Sequence, residues 1–427
     1  MESGSALQQV VAFIAAQIVR GTAVVDDGVS AQAAEAPVVA RAAVQAIVSG
    51  AAEQVVATAV ALKGVGKLIA DDQVTAAAAT GRLDPSTIGD CERADLAGIP
   101  LRSDETIFRI FSMTKPVVSV VAMTLVEQGK LDVDAPVSKY LPEYANLKVW
   151  QTDGSSVAAA RPMLVRHLMS HTSGLIYGFI QPNAPISKVW AAGGENRNDL
   201  TAREYAKVLA KLPLKNEPGA AFNYSHSTDV LGAVVEVAGS KLLDVLIRER
   251  ITRPLGMNDT VFFQPEAKRA RFAEPKNNQS GVCYDYARPT PYLSGGGGLS
   301  STTEDYLRFV LMLAGEGQYK GVRVLKPETL ARMRQDETSP EIRRAGMFFP
   351  GPGPGPGMGF GLGFSLVQDE KVQRPGARTF SSWGIAGTEF WVDPKNETFM
   401  VFMIQARELA QEYQRKNRAW IYDALVK

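Results

Sequence analysis

The chain has 427 residues, of which 45% are hydrophobic, and its 46 Lys+Arg against 45 Asp+Glu leave a formal net charge of +1. This length and apolar content supply a substantial core and exclude a small disulfide scaffold. The balanced charge excludes a nucleic-acid binder built on a basic face, and equally an acidic disordered tail.

Residues 1–60 are rich in Ala and Val, with few turn signals before Asp26-Asp27-Gly28. Residues 1–40 read as a helical extension leading into a main domain over 41–427. Met1–Ser5 carries an acid and no basic residue, unlike a secretory leader, so a cytoplasmic location is expected. The longest apolar runs, 10–19 and 117–126, reach about half of the ~18 residues a membrane span requires, and read as core helices. Residues 55–70, broken by Gly64 and Gly66, fit a strand pair. A helix is predicted over 111–128 and ended by Gly129. Another over 161–169 stops at Thr172-Ser173-Gly174. Two more, 228–238 and 242–250, are separated by Gly239 and followed by Pro254-Leu255-Gly256-Met257.

After the glycine run 295–298, Ser301-Thr302-Thr303-Glu304 reads as a capping box opening a helix through Leu313. In 351–363 glycine recurs at every second residue, which never matches a dinucleotide loop. It reads as a loop running into an edge strand through Leu366. Residues 390–394 and 398–404 form a predicted hairpin around Asp393-Pro394-Lys395-Asn396, and 406–426 a closing helix with one face on the sheet. Strands at both ends with helices between them predict an α+β fold: a sheet part over about 41–110 and 295–427, and a helical region over about 111–294.

Several common chemistries find no support. G-x-S-x-G, the phosphate-binding G-x-x-x-x-G-K-[ST] and H-E-x-x-H do not occur. The two cysteines, Cys91 and Cys283, cannot build a four-ligand zinc site. His167 and His171 are four apart with no acid between them, which suits structural histidines at a helix end better than a metal pair. No metal and no organic cofactor is expected.

Ser112-Met113-Thr114-Lys115 is the one S-x-x-K in the chain. A bare match could be a polar turn opening a core helix. Pro116 changes the balance, because proline is tolerated only near a helix start, which places that start at about Ser112. Ser112 then sits at the positive end of the helix dipole, with Lys115 one turn later on the same face. The helix beyond is almost wholly apolar, so Lys115 is desolvated and its neutral, basic form favoured. Each pKa unit of that shift costs ~1.4 kcal/mol, a cost rarely carried without function. Tyr224 lies on a loop feeding the next helix and offers a second proton-moving group; its alternative reading is a buried tyrosine with a bonded hydroxyl. In 380–388, small residues and glycines lead into a strand that a ligand could approach closely.

These segments resemble the serine β-lactamase superfamily, and most of all the family VIII carboxylesterases and their class C β-lactamase relatives. Phe111-Ser112-Met113-Thr114-Lys115-Pro116-Val117 is similar to the family's nucleophile motif, and Tyr224-Ser225-His226 to its tyrosine motif. Arg166–Leu175, Thr228–Gly232, Pro254–Met257 and Gly295–Ser301 follow in family order, so the likeness runs from about Thr106 to Gln405. His226 stands where β-lactamases use an asparagine, which favours an esterase over a β-lactamase. Trp383-Gly384-Ile385 or Ser382-Trp383-Gly384 stands where the relatives have Lys-Thr-Gly or Trp-Gly-Gly.

The resemblance implies hydrolysis of short-chain carboxylic esters by an acyl-enzyme on Ser112. Lys115 and Tyr224 would move its proton, and the N–H of Ser112 with that of Ile385 or Ala386 would hold the oxyanion. Trp383, Gly384 and His226 would contact substrate. A small-molecule ester is the expected partner, with β-lactams as further candidate substrates. Nucleic acid and membrane are not expected as partners. Alternatives on the same site are a β-lactamase, a D-Ala-D-Ala peptidase or an acyltransferase. An alternative of another class is a catalytically silent binding or assembly protein.

Overall fold

A computed structural model describes residues 43–44, 58–63, 105–195, 197–273, 289–345, 357–369 and 378–405, together with Arg407, Ala410, Asn417 and Arg418. Strands β1 (Ala43–Val44), β2 (Thr58–Lys63), β3 (Ile107–Arg109), β4 (Ser300–Thr302), β5 (Met358–Phe360), β6 (Ser365–Val367), β7 (Phe380–Trp383), β8 (Glu389–Asp393) and β9 (Thr398–Met403) frame the site. Seven of them form one antiparallel sheet in the order β1-β2-β9-β8-β7-β6-β5. β3 and β4 pair separately. The fold is α+β, and the antiparallel sheet takes strands from both ends of the chain. β9 reads Thr-Phe-Met-Val-Phe-Met and is buried at every position, as a central strand covered on both faces must be.

Helices α1 (Thr114–Glu127), α2 (Val165–Met169), α3 (Ser227–Gly239) and α4 (Thr303–Ala314) carry the packing. In α1 every residue from Thr114 to Leu125 is buried. Its many valines are indifferent helix formers, so tertiary burial rather than propensity holds it. α1 packs on α3, and α4 lies on the sheet with the Tyr306 ring 5.6 Å from that of Phe390.

Several local expectations differ from what is found. Over 161–169 only Val165–Met169 is helical, because Leu164 is extended (φ −91, ψ 156) and bridges Pro136. The Nδ1 of His167 then accepts the Leu164 N–H at 3.2 Å, closing the helix start. Over 242–250 the α-helix Leu243–Ile247 continues into a wider π-type turn, Arg248–Thr252. The cap of α4 is Thr302, whose Oγ1 accepts from the Asp305 N–H at 3.2 Å; Ser301 belongs to β4, and Glu304 pairs with Arg308 instead. Of the strand pair expected over 55–70, residues 58–63 form β2, which pairs with β1 and β9, and the remainder lies outside the described residues. Leu366 lies in β6, inside the sheet, and β5 is the edge. The expected extension over 1–40, the Gly-Pro repeat at 351–356 and most of the closing helix lie outside the described residues.

Candidate active site

Ser112 sits in a single 3₁₀ turn, Phe111–Met113, that runs into α1. Phe111 has φ 43, a left-handed conformation that is strained by about 1–3 kcal/mol in a residue with a Cβ. Neighbours fix the turn from both sides. Ile110 N–H donates to Leu299 O (3.1 Å), Leu299 N–H to Thr114 Oγ1 (3.1 Å), and Tyr306 O–H to Met113 O (2.9 Å). Lys115 follows on the same face and is 3% exposed. Its Nζ lies 3.1 Å from Ser112 Oγ, 3.2 Å from Tyr177 Oη and 2.6 Å from Gly296 O. Burial lowers the amine to about 7, against the charge of Asp229, which raises it.

Tyr224 is buried, hydrogen-bonded to Ser112, and places its ring centroid 4.6 Å from Lys115 Nζ. Burial pushes its phenol up, although the bond to Ser112 works the other way. Ser112, Lys115 and Tyr224 therefore come together in one cluster, drawn from a helix start and a loop more than a hundred residues later. His171 (φ 56) tilts against the Tyr224 ring at 4.5 Å, and its Nδ1 accepts the Ser225 N–H at 3.3 Å. Burial and then the charge of Lys115 hold it well below the usual histidine range.

The remaining sequence-derived positions lie at different distances from this cluster. Trp383 ends β7 and lines a cavity of about 10 Å3 with Lys115, Tyr224, Phe360, Gly363, Ser365, Ser381 and Ser382. Ser382 Oγ reaches Ser112 O at 3.4 Å. Gly384, Ile385 and Ala386 form the turn to β8: Gly384 N–H donates to Thr388 O (2.7 Å) and Gly387 N–H to Gly384 O (2.9 Å). Ile385 is exposed at the tip and Ala386 is buried. His226 is the N-cap residue of α3, but its ring faces inward. Nδ1 lies 3.1 Å from Asp229 Oδ2 and Nε2 lies 3.0 Å from Glu195 Oε1.

Four contributors were missed in the sequence: Tyr177, Glu195, Asp229 and Gly296. Asp229 had a signal, a charge inside the apolar run of α3 that must find partners to be buried. It accepts from Tyr292 Oη (2.8 Å), Ser294 Oγ (2.7 Å) and Gly296 N (3.0 Å). Burial opposes its ionisation, yet the hydrogen bond and charge of His226, with Lys115 and Ser294, bring it to about 2. The glycine run has its reason here: a Cβ on Gly296 would lie 2.6 Å from Asp229 Oδ2 and 2.9 Å from Tyr177 Oη. Among the described residues, no group of three His, Cys, Asp or Glu side chains is arranged to hold a metal ion.

A hydroxyl beside a buried amine of lowered pKa and a phenol is equipped for acyl transfer. Residues 31–424 match the β-lactamase family. The chain belongs to that family. It is 38% identical over 327 residues to protein Rv1367c of Mycobacterium tuberculosis, covering 72% of this chain and 79% of that one. It is 32% identical over 278 residues to esterase EstB of Burkholderia gladioli, covering 59% and 67%. Among solved structures it resembles EstCE1, described as a hydrolase with promiscuous acyltransferase activity, with TM-score 0.62 and 26% identity over 77% of this chain and 86% of that one. Within this family the expectation of a serine β-lactamase-like esterase and its fold stands. Among the described residues, no helix is long and apolar enough to cross a membrane.

Proposed function

We propose that the protein hydrolyses short-chain carboxylic esters through an acyl-enzyme on Ser112. Its enzyme class, a serine ester hydrolase, follows from the family and from the esterases among its relatives. The observation that carries the finer reading is the Lys115 amine, 3.1 Å from Ser112 Oγ and lowered by burial to about 7. An amine of that basicity takes a proton and returns it within the same catalytic cycle.

In this reading Ser112 Oγ attacks the ester carbonyl carbon while its proton passes to the Lys115–Tyr224 pair. The tetrahedral oxyanion is held by the Ser112 N–H and one N–H from the Ile385–Ala386 turn, each worth ~3 kcal/mol of barrier. Collapse expels the alcohol, which takes the proton. Water then attacks the acyl-enzyme, giving a proton to the same pair, and the carboxylic acid is released as Ser112 Oγ takes that proton. A second reading, transfer of the acyl group to an alcohol, draws on the description of EstCE1 and uses the same residues. A β-lactam-directed activity is disfavoured, because His226 stands where those enzymes carry an asparagine and its ring is committed to Glu195 and Asp229.

The test is stoichiometric labelling by a fluorophosphonate, with turnover of a short p-nitrophenyl ester. Labelling on Ser112, and loss of both labelling and turnover in a folded Ser112→Ala protein, are expected. Substantial turnover remaining in Ser112→Ala would end the proposal.

A further inference from the structure

His226 faces an acid on each ring nitrogen. Nδ1 lies 3.1 Å from Asp229 Oδ2 and Nε2 lies 3.0 Å from Glu195 Oε1, with all three side chains buried. A neutral imidazole donates from one nitrogen only, so with both carboxyls ionised both contacts are hydrogen bonds only if the ring is an imidazolium. Each carboxylate then reaches toward Lys115. Glu195 Oε1 also accepts the Gly178 N–H at 2.6 Å, which fixes the turn carrying Tyr177, whose Oη meets Lys115 Nζ at 3.2 Å. Asp229 Oδ1 accepts the Gly296 N–H at 3.0 Å, and the carbonyl of that same Gly296 accepts from Lys115 Nζ at 2.6 Å. Apart from Ser112, these are the two groups hydrogen-bonded to the amine among the described residues.

We propose that Glu195–His226–Asp229 is a charged positioning chain that holds Lys115 against Ser112 from behind, through Tyr177 on one side and Gly296 on the other. His226 is thereby a positioning residue, neither a base nor a substrate ligand. The inference rests on the reading of Lys115 as the base of an ester hydrolase. The other titratable groups around His226 are Tyr205, whose Oη is 3.4 Å from Nε2, and Tyr177, whose ring stands edge-on at 4.3 Å. Burial alone would lower the imidazole, but the bonds and charges of Asp229 and Glu195 overcome it and raise it. The other two histidines go the opposite way: burial lowers His167 to about 4 and holds His171 well below its ordinary value. Around Lys115 the ionisable neighbours are Tyr177, Tyr224, Asp229 and His171.

Two measurements test this. The chain has three histidines, so nitrogen NMR of the labelled full-length protein can follow each ring. At about pH 8, where an ordinary histidine is neutral, one ring with both nitrogens protonated is expected, and it should vanish in His226→Gln. Three neutral rings would overturn the charged chain, whatever the activity. Steady-state kinetics across pH then compare wild type with Asp229→Asn, which keeps the shape and removes the charge. The expected result is kcat down by about 100-fold from a misplaced amine, with KM little changed. Its acid limb should move to lower pH, because protonated Lys115 loses a favourable neighbour. An unmoved limb would overturn the inference, while failure of Ser112 labelling in wild type would instead overturn the underlying reading.

Discussion

With its amine lowered by burial to about 7, Lys115 changes charge inside the working pH range, and the sign of the consequence follows. Only the neutral amine accepts the Ser112 proton, so kcat/KM should climb with pH up to about 7 and level above it. Tyr224, pushed up by burial, stays a neutral phenol over that range. The stability effect has its own window. Between about 7 and the ordinary lysine value of 10.5 the unfolded chain holds a proton that the folded chain has released, so this residue's contribution to stability rises with pH there. Lys115→Arg should lose turnover by orders of magnitude, because guanidinium cannot act as a base. If Lys115 and Tyr224 move one proton as a unit, Lys115→Ala with Tyr224→Phe should be little worse than either alone. Full multiplication of the two losses, measured on one short ester, would separate their roles.

At the scale of elements, the glycine-rich loop and the start of α3 are one device. Gly296 passes so close to Asp229 and Tyr177 that any side chain displaces the carbonyl holding Lys115. Gly296→Ala should therefore lower turnover by about 100-fold while circular dichroism stays near wild type. Gly297→Ala is the control, since its Cβ would meet nothing nearer than 3.7 Å. Equal losses in the two variants would show that the loop is merely intolerant. The sequence displayed the glycines and the S-x-x-K, because each is a local pattern. It did not display why Gly296 must be glycine, since that depends on Asp229, 67 residues away. The same limit explains the capping box drawn around Ser301: the local pattern was right about a helix start and missed that Ser301 Oγ is taken up by Thr260 Oγ1 at 2.7 Å, 41 residues away.

At the scale of the molecule, the site lies where the helical region meets the sheet. Ser112, Lys115 and Tyr224 could be named from sequence because each sits in a short motif beside an element start. The chain Glu195–His226–Asp229 could not, because only folding brings a loop after the Pro185–Ala192 helix onto α3. Gly363 marks the junction between the two regions. It has φ +99, its N–H donates to Met169 O at 3.0 Å, and a Cβ there would lie 2.4 Å from Ser119 Oγ and 2.5 Å from Ser119 Cβ on α1. Ser119 is one turn beyond Lys115, so a wedge at this point pushes on the catalytic helix itself. Gly363→Ala should lower the unfolding temperature and turnover together, through a steric clash and about 1–3 kcal/mol of backbone strain. The two causes can be parted. Ser119 Oγ has no hydrogen-bond partner among the described residues, so Ser119→Gly forfeits no bond and costs about 0.5 kcal/mol of helix propensity. In the double variant the clash is gone and only the backbone strain remains. Denaturant unfolding of all four proteins should show the double variant less destabilised than the two single losses added. Simple additivity would mean that the sheet and α1 do not meet at Ser119 as tightly as these distances require.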